Sequence, residues 1–299
     1  MSTYIIENAN WLKDTKLTQT SFLIEDGRVS SIRDSFRYYR YMKMDISPFL
    51  MTPGHFFCYL EVPGGSDDFA SIKNYYLNEL INTGCTTVLT AFSIKYEYEF
   101  LKELKNRKAT MINCPLDYTI GLRISDNLIT PNIIRSCKRH RVPVIWIEMD
   151  DAGKFKDIPW GWIKGLLYDY PITFVPFFTT NIDIKTKMKH LKIWQQSMEN
   201  EGIPHIPHEI PLKVPLELNI LKKIGIYPLR GNFLVGGEIS YNLYMKPGDT
   251  GTEPLSFHYD QLVLKCTMNK GKYQYVNSRG HFYPGAGEEL IIQTPGYFT

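Results

Sequence analysis

The chain has 299 residues, 43% of them hydrophobic, enough to bury a sizeable core as one large domain or as a large domain with a small satellite. Its 34 basic and 31 acidic residues leave a net charge of +3 and are spread along the sequence, which argues against a broad basic surface for nucleic acid. Apolar runs such as "ITFVPFF" are far too short to span a membrane, and the first residues lack the apolar stretch of a secretory leader, so a soluble, cytoplasmic protein is expected.

Residues 4 to 33 alternate short apolar runs with turn signals: "YIIENANWL", then "SFLIEDGRVSSI", in which Asp26-Gly27 is placed as a hairpin turn. The next segment, "FRYYRYMKMD", interleaves bases with aromatics as single-strand nucleic-acid platforms do, but cross-strand packing in a sheet is the favoured reading. From residue 67 the texture changes. Phe69, Ile72, Tyr76 and Leu80 recur with helical spacing, and Gly84 suits a helix C-cap. There follow a strand "CTTVLTAF", a helix near 96–107, strands "ATMINC" and "LDYTIGLRI", and a helix near 130–140 whose basic end "CKRHR" complements the helix dipole. Strand "VPVIWIEM", a helix near 159–168, strand "ITFVPFF" and a helix near 183–199 continue the alternation. Strands alternating with helices imply parallel βαβ units, in a doubly wound sheet or a barrel. After the loop "EGIPHIPHEIPLKVP" and the helix "LELNILKKIG", β texture returns from about residue 232.

Several of these stretches, in order, resemble the cyclic amidohydrolases, the dihydropyrimidinase and dihydroorotase family. "IIENANWLKDTKLTQTSFLIEDGRVSSI" resembles the family's opening strands, "DDFASIKNYYLNELINTGCTTVLTAF" its first barrel helix and second strand, and "DYTIGLRISDN" a later strand. The strongest match is "NILKKIGIYPLRGNFLVGGEISYNLY", where Ile224-Gly225-Ile226-Tyr227-Pro228, Gly231 and Val235-Gly236 fit the family's passage out of its last barrel helix, while Glu238-Ile239-Ser240 replaces an Asp-Ala-Asp. The tail "GKYQYVNSRGHFYPGAGEELI" resembles the closing hairpin. The resemblance implies a β-sandwich built from both chain ends, residues 1–51 and 226–299, and a metal-bearing (β/α) barrel over 52–225.

The departures bear on function. In the family, two histidines one residue apart follow a Pro-Gly of the Pro53-Gly54 kind; here Tyr59 and Glu61 stand in their places. A metal-bridging carbamylated lysine is implied on the fourth strand, where this chain has Trp146, or Glu148 with a register shift of two. The barrel segment runs for about 170 residues, against roughly 250 for a complete (β/α)8 barrel. The shortfall falls after Asp151, in the half that would carry the remaining histidine ligands and the aspartate base.

A rebuilt site has its own candidates. Glu61, Glu148, Asp150 and Asp151 lie near expected C-terminal ends of strands, where barrel enzymes place their chemistry, and "HIPHE" adds His205, His208 and Glu209. Such carboxylates and imidazoles could hold one divalent metal such as zinc. Against this, a His-x-x-His on a Pro-containing loop has no geometry that brings both rings to one ion, and "EMDDAGKFKD" reads as a solvated loop. His55, His140, His190, His258 and His281 are scattered, and packing or surface roles suit them better. The five cysteines (58, 85, 114, 137 and 266) are far apart and without a Cys-x-x-Cys pair, as for reduced thiols. Neither a phosphate-loop spacing nor a Gly-x-Ser-x-Gly is present.

The expectation is therefore an amidohydrolase-like protein that has lost the binuclear metal centre, with vestigial metal positions at Tyr59, Glu61 and Trp146 and no cofactor. It would act by binding a small molecule or a protein partner, or by forming a homo-oligomer, because an incomplete barrel leaves sheet edges to cover. The alternative is a metal-dependent hydrolase of a cyclic amide or related C–N bond, using Glu61, Glu148, Asp150 and His205 or His208.

Overall fold

A computed structural model describes residues 3–13, 16–64, 67–149, 158–179, 182–245 and 262–298. These form two compact units, each assembled from separate stretches: residues 1–56, 69–86 and 228–283, and residues 57–68, 87–227 and 284–299.

The first unit carries a nine-stranded, mostly antiparallel sheet. Its strands are β1 (Thr3–Lys13), β2 (Lys16–Glu25), β3 (Arg28–Arg33), β4 (Met42–Asp45), β5 (Phe49–Pro53), and, after a long gap in sequence, β11 (Tyr241–Met245), β12 (Leu264–Asn269), β13 (Lys272–Val276) and β14 (Arg279–Gly280). The order is β14-β13-β12-β11-β5-β1-β2-β3, with β4 pairing β1 in parallel. The chain ends meet where β5 pairs antiparallel with β11. Between β2 and β3 the expected hairpin is present, and both turn residues take positive φ, 50° at Asp26 and 74° at Gly27. Apolar side chains of both halves, among them Trp11, Phe22, Phe233 and Tyr241, form one buried cluster, with Trp11, Phe22 and Phe233 in mutual edge-to-face contact. Of "FRYYRYMKMD" only the last four residues form a strand; Phe36 is buried and Tyr38 is almost fully exposed.

The helix expected from residue 67 is α1 (Phe69–Tyr75), which widens into a π-turn over Tyr76–Leu80 and tightens into a 3₁₀ turn ending at Gly84, φ 82°. Gly84 is held from the sheet side: Asn242 Nδ2 donates to its carbonyl at 2.9 Å, and Thr267 Oγ1 donates to Asn242 Oδ1 at 2.8 Å, all buried. A Cβ at residue 84 would lie 2.8 Å from Asn242 Nδ2, so glycine is required twice, by φ and by space. His55 is also buried in this unit, 2.5 Å from the Tyr244 hydroxyl, and burial lowers its pKa to about 4.

The second unit holds most of the parallel sheet. Strands β6 (His55–Cys58), β7 (Cys85–Ser93), β8 (Asp117–Ser125), β9 (Val144–Glu148) and β10 (Thr173–Phe177) lie side by side in sequence order. After β7 to β10 come helices α2 (Phe100–Thr110), α3 (Pro131–Arg139), α4 (Trp160–Leu166) and α5 (Ile184–Glu201), and α6 (Leu218–Ile224) completes the series. Local signals explain several boundaries. Thr130 Oγ1 accepts from Ile133 N ahead of Pro131 at the first turn of α3, Asp183 caps α5 through Thr186 N, and Gly202 ends α5 with φ 65°. "ATMINC", expected as a strand, instead finishes α2 and tightens into a 3₁₀ turn over Met111–Asn113. Met111 is buried and Ile112 exposed, an alternation too short to tell strand from helix end. The tail docks along β8: Tyr118 N donates to Glu288 O at 3.0 Å and Leu290 N to Tyr118 O at 2.7 Å.

Among the described residues, no helix is long and apolar enough to cross a membrane. None of the five cysteines is in a disulfide.

Candidate functional site

Side chains alternate across a strand, and the parallel sheet sorts them by chemistry. Toward the helices point Phe92, Ile120, Leu122, Ile124, Ile145, Ile147 and Phe174, which join Phe100, Ile133, Trp160, Ile163 and Trp194 in one buried cluster. The opposite face of β8 and β9 carries Gly121, Arg123, Val144, Trp146 and Glu148. Registers Arg123↔Trp146 and Ser125↔Glu148 on one side, and Val175↔Trp146 and Phe177↔Glu148 on the other, set their spacing. Gly121 is the space into which the Trp146 ring fits: a Cβ there would lie 2.3 Å from Trp146 Cζ3 and 2.5 Å from Val144 Cγ1. Trp146 is fully buried.

At the C-terminal ends of these strands, Arg123 gathers two of the predicted carboxylates. Its Nε lies 3.3 Å from Glu148 Oε1 and its NH1 3.7 Å from Glu61 Oε1, with the guanidinium 5.4 Å from the centre of the Phe177 ring. Side-chain exposure falls from 78% at Glu61 to 27% at Glu148 and 24% at Arg123. The Nε is buried and makes no aligned hydrogen bond, so the Glu148 contact is an ion pair by distance only. Sequence reasoning passed over Arg123. The available signal was a single cation at an alternating position of the otherwise apolar strand "DYTIGLRIS".

Tyr59 continues β6. Its N–H donates to Leu89 O at 2.8 Å, its ring stacks on Phe57 (6.4 Å, 14°), and Lys213 Nζ lies 5.7 Å above it. Lys213 comes from the long loop before α6, which meets both edges of the sheet. On β10, Phe174 N donates to Pro204 O and Ile206 N to Phe174 O, each at 2.9 Å; on β6, Lys213 N donates to Cys58 O at 3.2 Å and Phe57 bridges Pro215 antiparallel. The edges that were expected to need a partner copy are thus each met, over a short stretch, by this one connection.

The histidine candidates lie elsewhere. His205 bridges Phe174, so it shares that residue's helix-facing side: its ring meets Trp194 edge-on at 6.4 Å and its Nδ1 lies 2.9 Å from Ile203 O. Phe174 pairs with Ile145, three residues from Glu148, so His205 and Glu148 point to opposite faces of the sheet. Burial lowers the His205 pKa. His208 is exposed and lines a separate groove of about 400 Å³ with Ile220, Lys222 and Phe298. Glu209 accepts from Phe178 N at 3.0 Å and pairs with Lys187, tying the end of β10 to α5. Asp150 and Asp151 lie outside the described residues, as does His258.

The family-implied metal centre can be tested against this donor set. A phenol and an indole stand where imidazole and lysine are implied, and both carboxylates face a fixed guanidinium. Among the described residues, no three His, Cys, Asp or Glu side chains converge to hold an ion. Among the described residues, the donors at these positions do not fit a binuclear centre.

A sequence-ordered parallel sheet with its helices and a separate, mostly antiparallel sheet built from both chain ends match the fold of hydantoinase-like structures. Among solved structures the chain is similar to a D-hydantoinase (14% identity, TM-score 0.61, covering 99% of this chain and 100% of that one) and to a D-hydantoinase from a Bacillus species (11%, 0.66, 97% and 99%). It is also similar to the dihydropyrimidinase of Brevibacillus agri (11%, 0.58, 98% and 99%). At these identities the likeness is one of fold. No family model matches the sequence, and no curated protein matches it.

Proposed function

We propose that this is an amidohydrolase-like protein without the binuclear metal centre, which binds a ligand at the C-terminal ends of its parallel strands and does not hydrolyse it. One observation carries the reading: the sheet face on which the hydantoinase-type centre is implied is filled by Trp146 packed into the space at Gly121, with Arg123 spanning Glu61 and Glu148. In this reading Tyr59, Glu61 and Trp146 are vestigial metal positions, and Arg123 contributes the positive charge that the two carboxylates would otherwise take from an ion. Self-association into a homo-oligomer is retained as part of the proposal, through surfaces other than the sheet edges met by residues 203–215.

The meeting of Glu61 and Glu148 at one guanidinium also favours a second reading, a metal-dependent hydrolase of a cyclic amide with a rearranged site. Elemental analysis of untagged protein, before and after incubation with zinc or manganese, combined with a hydrolysis assay on hydantoin and dihydrouracil, decides between them. Metal-free, inactive protein is the expected result. Near-stoichiometric metal that disappears in Glu148→Ala, together with ring opening, would overturn the first reading.

A further inference from the structure

Cross-strand packing accounts for little of the aromatic and basic segment that leads into β4. Of residues 33–43 only Phe36 is buried. It packs against Ile5 and Leu23, and Ile5 is itself paired with Leu23 on β2 and with Lys43 on β4, so Phe36 and Lys43 lie on one face of the first unit's sheet. From this anchor the chain turns, Tyr39 N donating to Phe36 O at 3.1 Å, and a row of rings follows. Tyr39 meets Phe36 edge-on at 5.3 Å, and Tyr41 lies 6.1 Å from Tyr39. Tyr38 is 97% exposed and Tyr41 44%.

The cations of this segment are mostly unpaired. Among the described residues, the exposed side chains of Arg37 and Arg40 make no ion pair, hydrogen bond or ring contact. The Arg33 guanidinium lies 6.0 Å from the centre of the Phe36 ring, and Lys43 pairs with Glu7. Residues 33–43 hold four cations and one carboxylate, a net charge of +3 that equals the whole chain's. The rest of the chain is formally balanced, so the excess charge is local.

Exposed guanidinium forks without carboxylates are matched by phosphates, and exposed tyrosine rings offer faces on which bases stack. A duplex would hide its bases from those rings. A lipid surface would call for inserted aliphatic side chains, of which this segment exposes only Met42.

We propose that residues 33–43 form a platform for single-stranded nucleic acid, with phosphates at Arg33, Arg37 and Arg40 and bases stacked on Tyr38 and Tyr41. The platform uses the first unit only and is independent of the ligand site proposed in the second.

Fluorescence anisotropy of labelled uridylate and thymidylate dodecamers with the full chain tests it. Saturable binding is expected, with a Kd of about 10 μM or tighter at low salt and a log–log salt slope of about −2, as for roughly three neutralised phosphates. An abasic dodecamer with the same phosphates should bind at least about tenfold more weakly. Tyr38→Ala and Tyr41→Ala should each weaken binding about fivefold or more, and Arg37→Gln should weaken it and flatten the salt slope by about 0.7. Arg139→Gln, an exposed cation on α3, should change neither. Tyr38 and Arg37 are exposed, so thermal unfolding of those variants should not move. Absence of saturation with both dodecamers, equal affinity for the abasic one, or an equal loss in Arg139→Gln would overturn the proposal. Binding to phosphatidylserine vesicles in place of either dodecamer would overturn it too, and would assign the surface to membranes.

Discussion

The two faces of the parallel sheet are made from the same strands and yet differ in kind. The helix-facing side is a continuous apolar cluster in which Ile120, Leu122, Ile145 and Ile147 meet Ile133, Ile163 and Trp194. The other side carries a glycine, an indole, a guanidinium and carboxylates in adjacent register positions. The first face can be rebuilt from almost any well-shaped hydrophobic set, because burial is non-directional. The second depends on particular partners: Trp146 needs Gly121, and Arg123 offsets Glu148. The lesson is that one set of strands can hold an interchangeable apolar packing on one face and a partner-specific polar arrangement on the other.

The comparison predicts a graded series in denaturant unfolding. Trp194→Ala should cost most, about 3–5 kcal/mol, since it removes a fully buried ring and the donor to Ile206 O. Trp146→Ala should cost nearly as much, about 3 kcal/mol, if the inner face is packed as tightly as the outer. A loss below about 1 kcal/mol at Trp146 would mean an open, solvated interior, and the contrast between the faces would have to be redrawn. Gly121→Ala should cost about 1–3 kcal/mol, because the new methyl meets Trp146 and Val144. Adding Trp146→Phe to Gly121→Ala should cost less than the two separate effects combined; strict additivity would show that the two residues do not share one space. Arg123→Met should be mildest, within about 1 kcal/mol, since its two ion pairs are partly exposed and loosely aligned. A larger, salt-insensitive loss there would mark Arg123 as a structural keystone instead of a ligand-facing group.

Much of the fold was legible because its signals are local. The Asp26-Gly27 turn, the cap at Gly84, the alternation of strands with helices and the return to β texture all depend on neighbours within a few residues. Glu61 and Glu148 were readable as strand-end carboxylates for the same reason. What they face was not. Arg123 lies more than sixty positions from Glu61, and only the registers of β6 to β9 bring the three side chains together. His205 was misleading for the complementary reason. As part of "HIPHE" it suggested a ligand, but a single bridge to Phe174 turns it toward Trp194 and away from Glu148.

The sequence by itself determined the order of elements, the local turns and helix caps, and the identity of the residues at Tyr59 and Glu61, since each is written in residue identity or spacing. Only the tertiary structure decided what fills the inner face and what meets the edges of the sheet. Those outcomes depend on strand register and on which face each residue takes, and a shift of one residue reverses the face of every side chain on a strand.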